Sequence, residues 1–245
     1  AGHDIDYIAV SGALHGLGQT SDRPQFPTNL LGDFGGGSTY LVIGILAALL
    51  EARSSGLGQV VDAAIVDGVA HLSLMYAGLL AAGLVTETRA TGLLDGGAPF
   101  YGVYETADGR HVAVGAIEPA FWAALVEGLG LSGVPDREEP SQWPRLHAVL
   151  TERFAQMTLA EWEAIFEGTD ACFAPVLSMT EAARHPHLAA RRTYVERGGI
   201  VQPAPAPRFS RTQARLAAGP ARPLEGADAA TLLAAWGLPT PVDPA

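Results

Sequence analysis

Lysine is missing altogether: the 245-residue chain takes all 15 of its basic side chains from arginine, against 26 aspartates and glutamates, for a formal charge of −11. With no basic run, it lacks the clustered cations that neutralising nucleic-acid phosphates requires. Cysteine is nearly absent. The single Cys172 cannot form an internal disulfide or build a zinc site by the usual cysteine spacing, and it gives no sign of an oxidising compartment. It is expected to be a small buried apolar side chain. Charged residues make up only 17% of the chain against 48% hydrophobic ones, and the mean hydropathy of +0.19 excludes a disordered polymer. Long apolar runs are also wanting. Leu41–Leu50 and Met75–Val85 reach about ten or eleven residues, short of the roughly 18 that a membrane span needs. A soluble globular protein with no nucleic-acid and no membrane partner is expected. The terminal Val242-Asp243-Pro244-Ala245 is not a peroxisomal address, so the expected location is cytoplasmic. The opening Ala1-Gly2-His3-Asp4 has neither Met nor a leader, so the sequence is expected to begin inside a longer one.

What is present is organised unevenly. Ile5–Gly18 mixes apolar residues with glycines and reads as strand and loop. Leu30-Leu31-Gly32-Asp33-Phe34-Gly35-Gly36-Gly37-Ser38 is a glycine-rich loop leading to a helix capped at Ser38 or Thr39 and stopped at Gly56. That helix is apolar nearly all round, and burial is expected. Val60–Val85 predicts one long helix, with Val61, Ala64, Ile65, Val69, Leu72 and Met75 at helical spacing. Tyr101–Glu105 and His111–Gly115 flank Asp108-Gly109 as the arms of a hairpin. Helices are expected over Glu118–Gly130 and, behind the capping box Thr158-Leu159-Ala160-Glu161, through Phe166. Pro135–Pro144 reads as a charged loop, Cys172–Val176 as a further strand, Val201–Pro207 as an extended link and Ala227–Trp236 as a closing helix.

Taken alone, the polar residues leave two readings open. Asp33, an acid among glycines beside a helix start, is either a solvent-facing turn residue or a group held where backbone N–H groups favour anions. The glycines around it form neither a dinucleotide fingerprint nor a phosphate loop. His3 is either structural or catalytic. Glu118 is a helix-start acid or a functional loop residue. His185-Pro186-His187 makes a poor metal site, because proline separates the imidazoles and no acidic third ligand is near. Met75 and Leu79 read as core, or as lining for an apolar ligand.

Longer motifs decide between these readings. Ala1-Gly2-His3-Asp4-Ile5-Asp6-Tyr7 resembles the active-site strand of the α-methylacyl-CoA racemases, members of the family III CoA-transferase superfamily. Asn29–Ser38 resembles their second active-site motif. The likeness continues through Gly58–Ala64, Leu94–Pro99, Val114–Pro119, Asp170–Cys172 with Pro175-Val176, and Ala206–Ser210. It implies a reaction in which the α-proton of a 2-methylacyl-CoA leaves one face and a proton returns to the other. Two acid/base groups of opposite protonation state are then needed; by resemblance they are His3 and Asp33. Glu118 would orient His3, Asn29 would position Asp33, and Gly2, Asp4, Ile5, Asp6 and Tyr7 would line the CoA and substrate site. The N–H groups of the helix start after Asp33 would face the developing oxyanion. No cofactor is implied, coenzyme A being part of the substrate.

The resemblance further implies an interlocked homodimer in which Glu118 serves a His3 of the other chain. It implies an α/β fold: an incomplete Rossmann-like large domain and a small α+β domain joined by linker helices. Residues 1–63 and 208–245 would belong to the large domain, 64–100 to linker helices, 101–185 to the small domain and 186–207 to a return linker. About the first 120 residues of the family would be lacking. Asp6 stands where the family strand carries Asn. Two alternatives remain: a family III CoA-transferase using Asp33 as nucleophile, and a non-catalytic fragment or subunit. His3 separates the first from a racemase, since transferases of this fold tend to carry Tyr there.

Overall fold

The opening segment is a helix rather than the expected strand. In the computed structural model, which describes residues 1–19, 22–216 and 226–237, α1 runs over Asp4–Val10. Asp4 and Asp6 lie in its first turn, where carboxylates complement the helix dipole. Asp4 and Ile8, four residues apart on one face, are both buried. The apolar residues that suggested a strand are a short stretch of this helical pattern. Gly12, at φ 87°, turns the chain into the single turn α2 (Ala13–Gly16).

Leu30–Ser38, expected as a loop, is a nine-residue π-helix continuous with α3 (Thr39–Ser55). The Thr39 N–H bonds the Phe34 carbonyl five residues back. Hydroxyls follow the same spacing: Ser38 Oγ donates to the Asp33 carbonyl at 2.8 Å and Thr39 Oγ1 to that of Phe34 at 2.9 Å. Helix α3 stops at Gly56 in the left-handed conformation, as the sequence requires. Its burial does not follow: Leu41, Val42, Ile43, Ile45, Leu46, Leu49 and Leu50 are exposed. An all-round apolar helix needs cover on every side, and Val61, packed at Gly44, covers one stripe. The π-helix and α3 together make a 26-residue segment, Leu30–Ser55, whose best stretch averages 1.5 in hydropathy. By length and composition it is long and apolar enough to cross a membrane, a measure that the core helix of a soluble protein also meets. No unbroken apolar run reveals it, because Asp33, Ser38 and Thr39 interrupt the segment.

The long helix expected over 60–85 is two: α4 (Ile65–Leu72) and α5 (Leu74–Ala81), parted at Ser73. Met75 is exposed, not a core residue. Helix α4 lies against the π-helix through glycine. A Cβ on Gly36 would stand 2.8 Å from the Val69 nitrogen, and one on Gly68 only 1.9 Å from the Gly36 oxygen.

Beyond residue 100 an antiparallel sheet forms, in the order β1 (Tyr101–Glu105), β2 (His111–Gly115), β3 (Phe173–Pro175). Tyr101 pairs with Gly115 and Glu105 with His111 across the Asp108-Gly109 turn, while Val114 pairs with Phe173. Helices α6 (Pro119–Gly128), α7 (Trp143–Phe154) and α8 (Leu159–Phe166) complete this layer. Leu146, Leu150 and Phe154 of α7 and Trp162 of α8 join Tyr104, Val112 and Val114 in the core. The Thr158–Glu161 capping box is formed. Cys172 contradicts its expected burial: it is exposed, with φ 49°, because it turns the chain into β3.

Two compact units divide at residue 176, Ala1–Val176 and Leu177–Ala245. The second holds α9 (Met179–Ala182), α10 (Pro186–Ala190), the hairpin β4 (Tyr194–Arg197)–β5 (Ile200–Pro203) and α11 (Gly226–Ala235). Part of the expected return linker is therefore a hairpin turning at Gly198-Gly199, both left-handed. Residues 217–225 and 238–245, within the expected 208–245 return, lie outside the described residues. The described strands are all antiparallel, and residues 1–63 contribute helices but no strand among those described.

Candidate active site

His3 is the residue that starts α1. It is extended, exposed, and its N–H donates to Asp6 Oδ2 at 2.9 Å. Asp6 thus gains a definite local role, satisfying an amide that the helix start leaves open. Gly2 has room for no side chain in comfort, since a Cβ would meet the Tyr7 ring at 3.1 Å. Tyr7 therefore folds back beneath residue 2. Ile5, on the outer face, is exposed.

Asp4 differs from its neighbours. Its residue is only 5% exposed, and Oδ2 accepts the backbone N–H of Asp33 at 2.7 Å. Oδ1 is buried without a hydrogen-bond partner. Gly32 makes the approach feasible, because a Cβ there would lie 2.4 Å from Asp4 Oδ2. One hydrogen bond therefore joins the segments Ala1–Tyr7 and Asn29–Ser38.

Asp33 lies inside the π-helix, half-buried. Asn29 Nδ2 donates to its Oδ2 at 3.1 Å, its carbonyl accepts from Ser38, and its N–H is held by Asp4. Backbone and side chain are thus fixed from three directions. The last bond corrects one expectation: the helix starts at Leu30, before Asp33, and the Asp33 amide is committed to a carboxylate rather than open to an oxyanion.

Glu118 is exposed and precedes Pro119 at the start of α6. Among the described residues no hydrogen bond joins it to His3. It stands beside Cys172, whose thiol is pushed up by desolvation first and then by the carboxylates of Glu118 and Asp170. That thiol is a poor nucleophile, since the thiolate is the reactive form.

Sequence reasoning missed Arg137, placed in a loop thought merely charged. Its side chain is 12% exposed and donates to the carbonyls of Ala116, at 3.0 Å, and Ile117. The guanidinium lies 4.3 Å from the Phe100 ring centroid and 5.6 Å from that of Trp122. It grips the strand end that delivers Glu118. Of the other histidines, His71 Nδ1 meets Tyr40 Oη at 2.6 Å and His15 Nε2 the Glu87 carbonyl at 3.1 Å, while His185 Nδ1 is buried with no hydrogen-bond partner. Among the described residues no cluster of three or more His, Cys, Asp or Glu could hold a metal ion.

The structure thus brings Asn29, Asp33, Gly32 and Asp4 together, with His3 one residue away, and leaves Glu118 on a separate element. Residues 1–229 match the model of CoA-transferase family III. The chain is 46% identical over 217 residues to the α-methylacyl-CoA racemase of Mus musculus and 43% identical to that of Homo sapiens. Each match covers 87% of this chain and 57% of the relative. A crystal structure of a CaiB/BaiF family protein from Brucella suis matches with a TM-score of 0.71 at 22% identity, over 96% of this chain and 63% of that one. A hypothetical protein from Mycobacterium tuberculosis matches with a TM-score of 0.65 at 23% identity, over 88% of this chain and 58% of that one. The chain spans little more than half the length of the curated relatives it matches.

Proposed function

The chain belongs to CoA-transferase family III, and on that premise we propose that it carries the proton-transfer residues of a racemase acting on 2-methylacyl-CoA thioesters. The observation that supports this most is the hydrogen bond that the Asp33 N–H donates to Asp4 Oδ2, which ties the residue after His3 to the second acid/base group. In the proposed reaction the thioester carbonyl acidifies the α-proton. Neutral His3 takes that proton, and the electron pair of the C–H bond moves into the carbonyl to give an enolate. Protonated Asp33 then returns a proton to the opposite face. The reverse direction begins with His3 protonated and Asp33 ionised. A carboxyl group steadied by Asn29 and fixed through its own backbone meets the need for positioned proton donors. Such chemistry calls for no metal or redox cofactor, since the thioester itself supplies the activation.

Assembly belongs to the same reading. The apolar residues that α3 exposes suit a homodimer, in which Glu118 of one copy would orient His3 of the other. A water-soluble, cytoplasmic enzyme is proposed.

The test is incubation of the protein with one stereoisomer of a 2-methylacyl-CoA in deuterated water. Inversion accompanied by deuterium at the α-carbon is expected. Full retention of the α-proton, with CoA found covalently on the peptide carrying Asp33, would instead make Asp33 a transferase nucleophile and overturn the reading.

A further inference from the structure

We propose that Asp4 is the positioning residue that sets His3 and Asp33 at their working separation, a role that rests on the racemase reading above. A carboxylate at the first turn of a short helix would ordinarily face water. Here it is 5% exposed, with Oδ2 on the Asp33 amide at 2.7 Å and Oδ1 unpartnered. A polar oxygen buried without a partner costs stability, so α1 and the π-helix are joined here at the expense of fold stability.

The geometry says what the arrangement achieves. Asp4 follows His3 directly, so the backbone of one proton carrier continues into the side chain that holds the backbone of the other. The link is made at the Asp33 N–H, upstream of the carboxyl group, and leaves the reacting oxygens untouched. Gly32 completes it, because any side chain there would meet Asp4 Oδ2. Ile8, one turn further along α1 and fully buried, lies within 3.1 Å of where that side chain would begin. Asp4 and Ile8 thus both pack against Gly32 from the same face of α1. Two bases working from opposite sides of one carbon tolerate little error, since a displacement of about 1 Å costs about 100-fold in rate.

Three variants test the role: Asp4→Ala removes the link, Asp4→Asn keeps an acceptor oxygen for the Asp33 amide, and Gly32→Ala pushes against the link from the other side. Asp4→Ala and Gly32→Ala are expected to lower kcat about 100-fold with KM changed less than about threefold. Asp4→Asn is expected to recover at least a tenth of the wild-type kcat. Hydrogen exchange at the Asp33 amide should be faster in Asp4→Ala than in wild type and near wild type in Asp4→Asn. Where Asp4→Ala does not fold, Gly32→Ala carries the same prediction.

A rise in KM at constant kcat would make Asp4 a substrate-binding residue and overturn the positioning role. So would wild-type kcat in a folded Asp4→Ala or Gly32→Ala protein, or an Asp33 amide indifferent to Asp4→Ala. An inactive wild type would overturn the racemase reading and this role with it, whereas an active wild type with undiminished variants overturns only the role of Asp4.

Discussion

Arg137 shows how much structure one side chain carries at the residue scale. Its guanidinium spans two backbone carbonyls and lies against Phe100 and Trp122. Hydrogen bonds from a charged donor and a cation–π contact each contribute about 1–3 kcal/mol. Arg137→Ala is therefore expected to destabilise the protein by about 3 kcal/mol, read from urea unfolding monitored at its tryptophans. Arg137→Lys should restore less than half of that, because an ammonium cannot bridge both carbonyls in one plane. Stability unchanged in Arg137→Ala would contradict this account. Nothing in the sequence distinguishes this arginine from the others, since its neighbours Asp136, Glu138 and Glu139 suggest only a solvated loop. Asp4 stands in a motif that the sequence singles out. Its inward turn was not legible there, because that depends on Gly32, which lies 28 residues away in the chain.

At the scale of elements, the contact between the π-helix and α4 is made by backbone. Gly68 has the Gly36 carbonyl where its Cβ would be, at 1.9 Å. Only movement of a whole helix relieves that overlap, so Gly68→Ala is expected to cost about 3 kcal/mol, seen as a lowered thermal midpoint. Gly78, in α5, has nothing within 4 Å of its Cβ position. Gly78→Ala should stabilise by about 0.5–1 kcal/mol through helix propensity. Equal effects at the two positions would contradict the packing described. The same contact explains why the π-helix was read as loop. Glycines are poor helix formers, and their packing partners lie some thirty residues on, in α4. Where a local signal was complete, it was sufficient. The Asp108-Gly109 turn, the alternation of Val112 and Val114, the Thr158 capping box and the Gly56 stop each carry their own chemistry. Helix α7, with Pro144 in its first turn, was hidden by reading proline as a breaker when it is compatible with a helix start. The opening of α1 is different, since its seven residues are too few for their apolar spacing to separate a helix from a strand.

At the scale of the whole molecule, the outstanding feature among the described residues is exposed apolar surface. Leu46, Leu49 and Leu50 on α3 are more than half exposed, and contiguous surface of this kind marks an interaction site. The protein is expected to run in light scattering at twice its 25.5 kDa. Leu46→Glu should lower that mass to a single chain while leaving the 101–175 layer folded. A wild type that remains a folded single chain would exclude the dimer. The roles of His3 and Asp33 as the two proton carriers are tested most directly by offering each stereoisomer of a 2-methylacyl-CoA separately to His3→Ala and Asp33→Ala in deuterated water. Each variant should lose inversion by about 10²–10⁴-fold, the usual contribution of a positioned acid or base. Any deuterium exchange that survives should be confined to the stereoisomer whose proton faces the remaining group, and so to opposite stereoisomers in the two variants. Undiminished inversion in either variant, or residual exchange on the same stereoisomer in both, would contradict a mechanism in which His3 and Asp33 work from opposite faces.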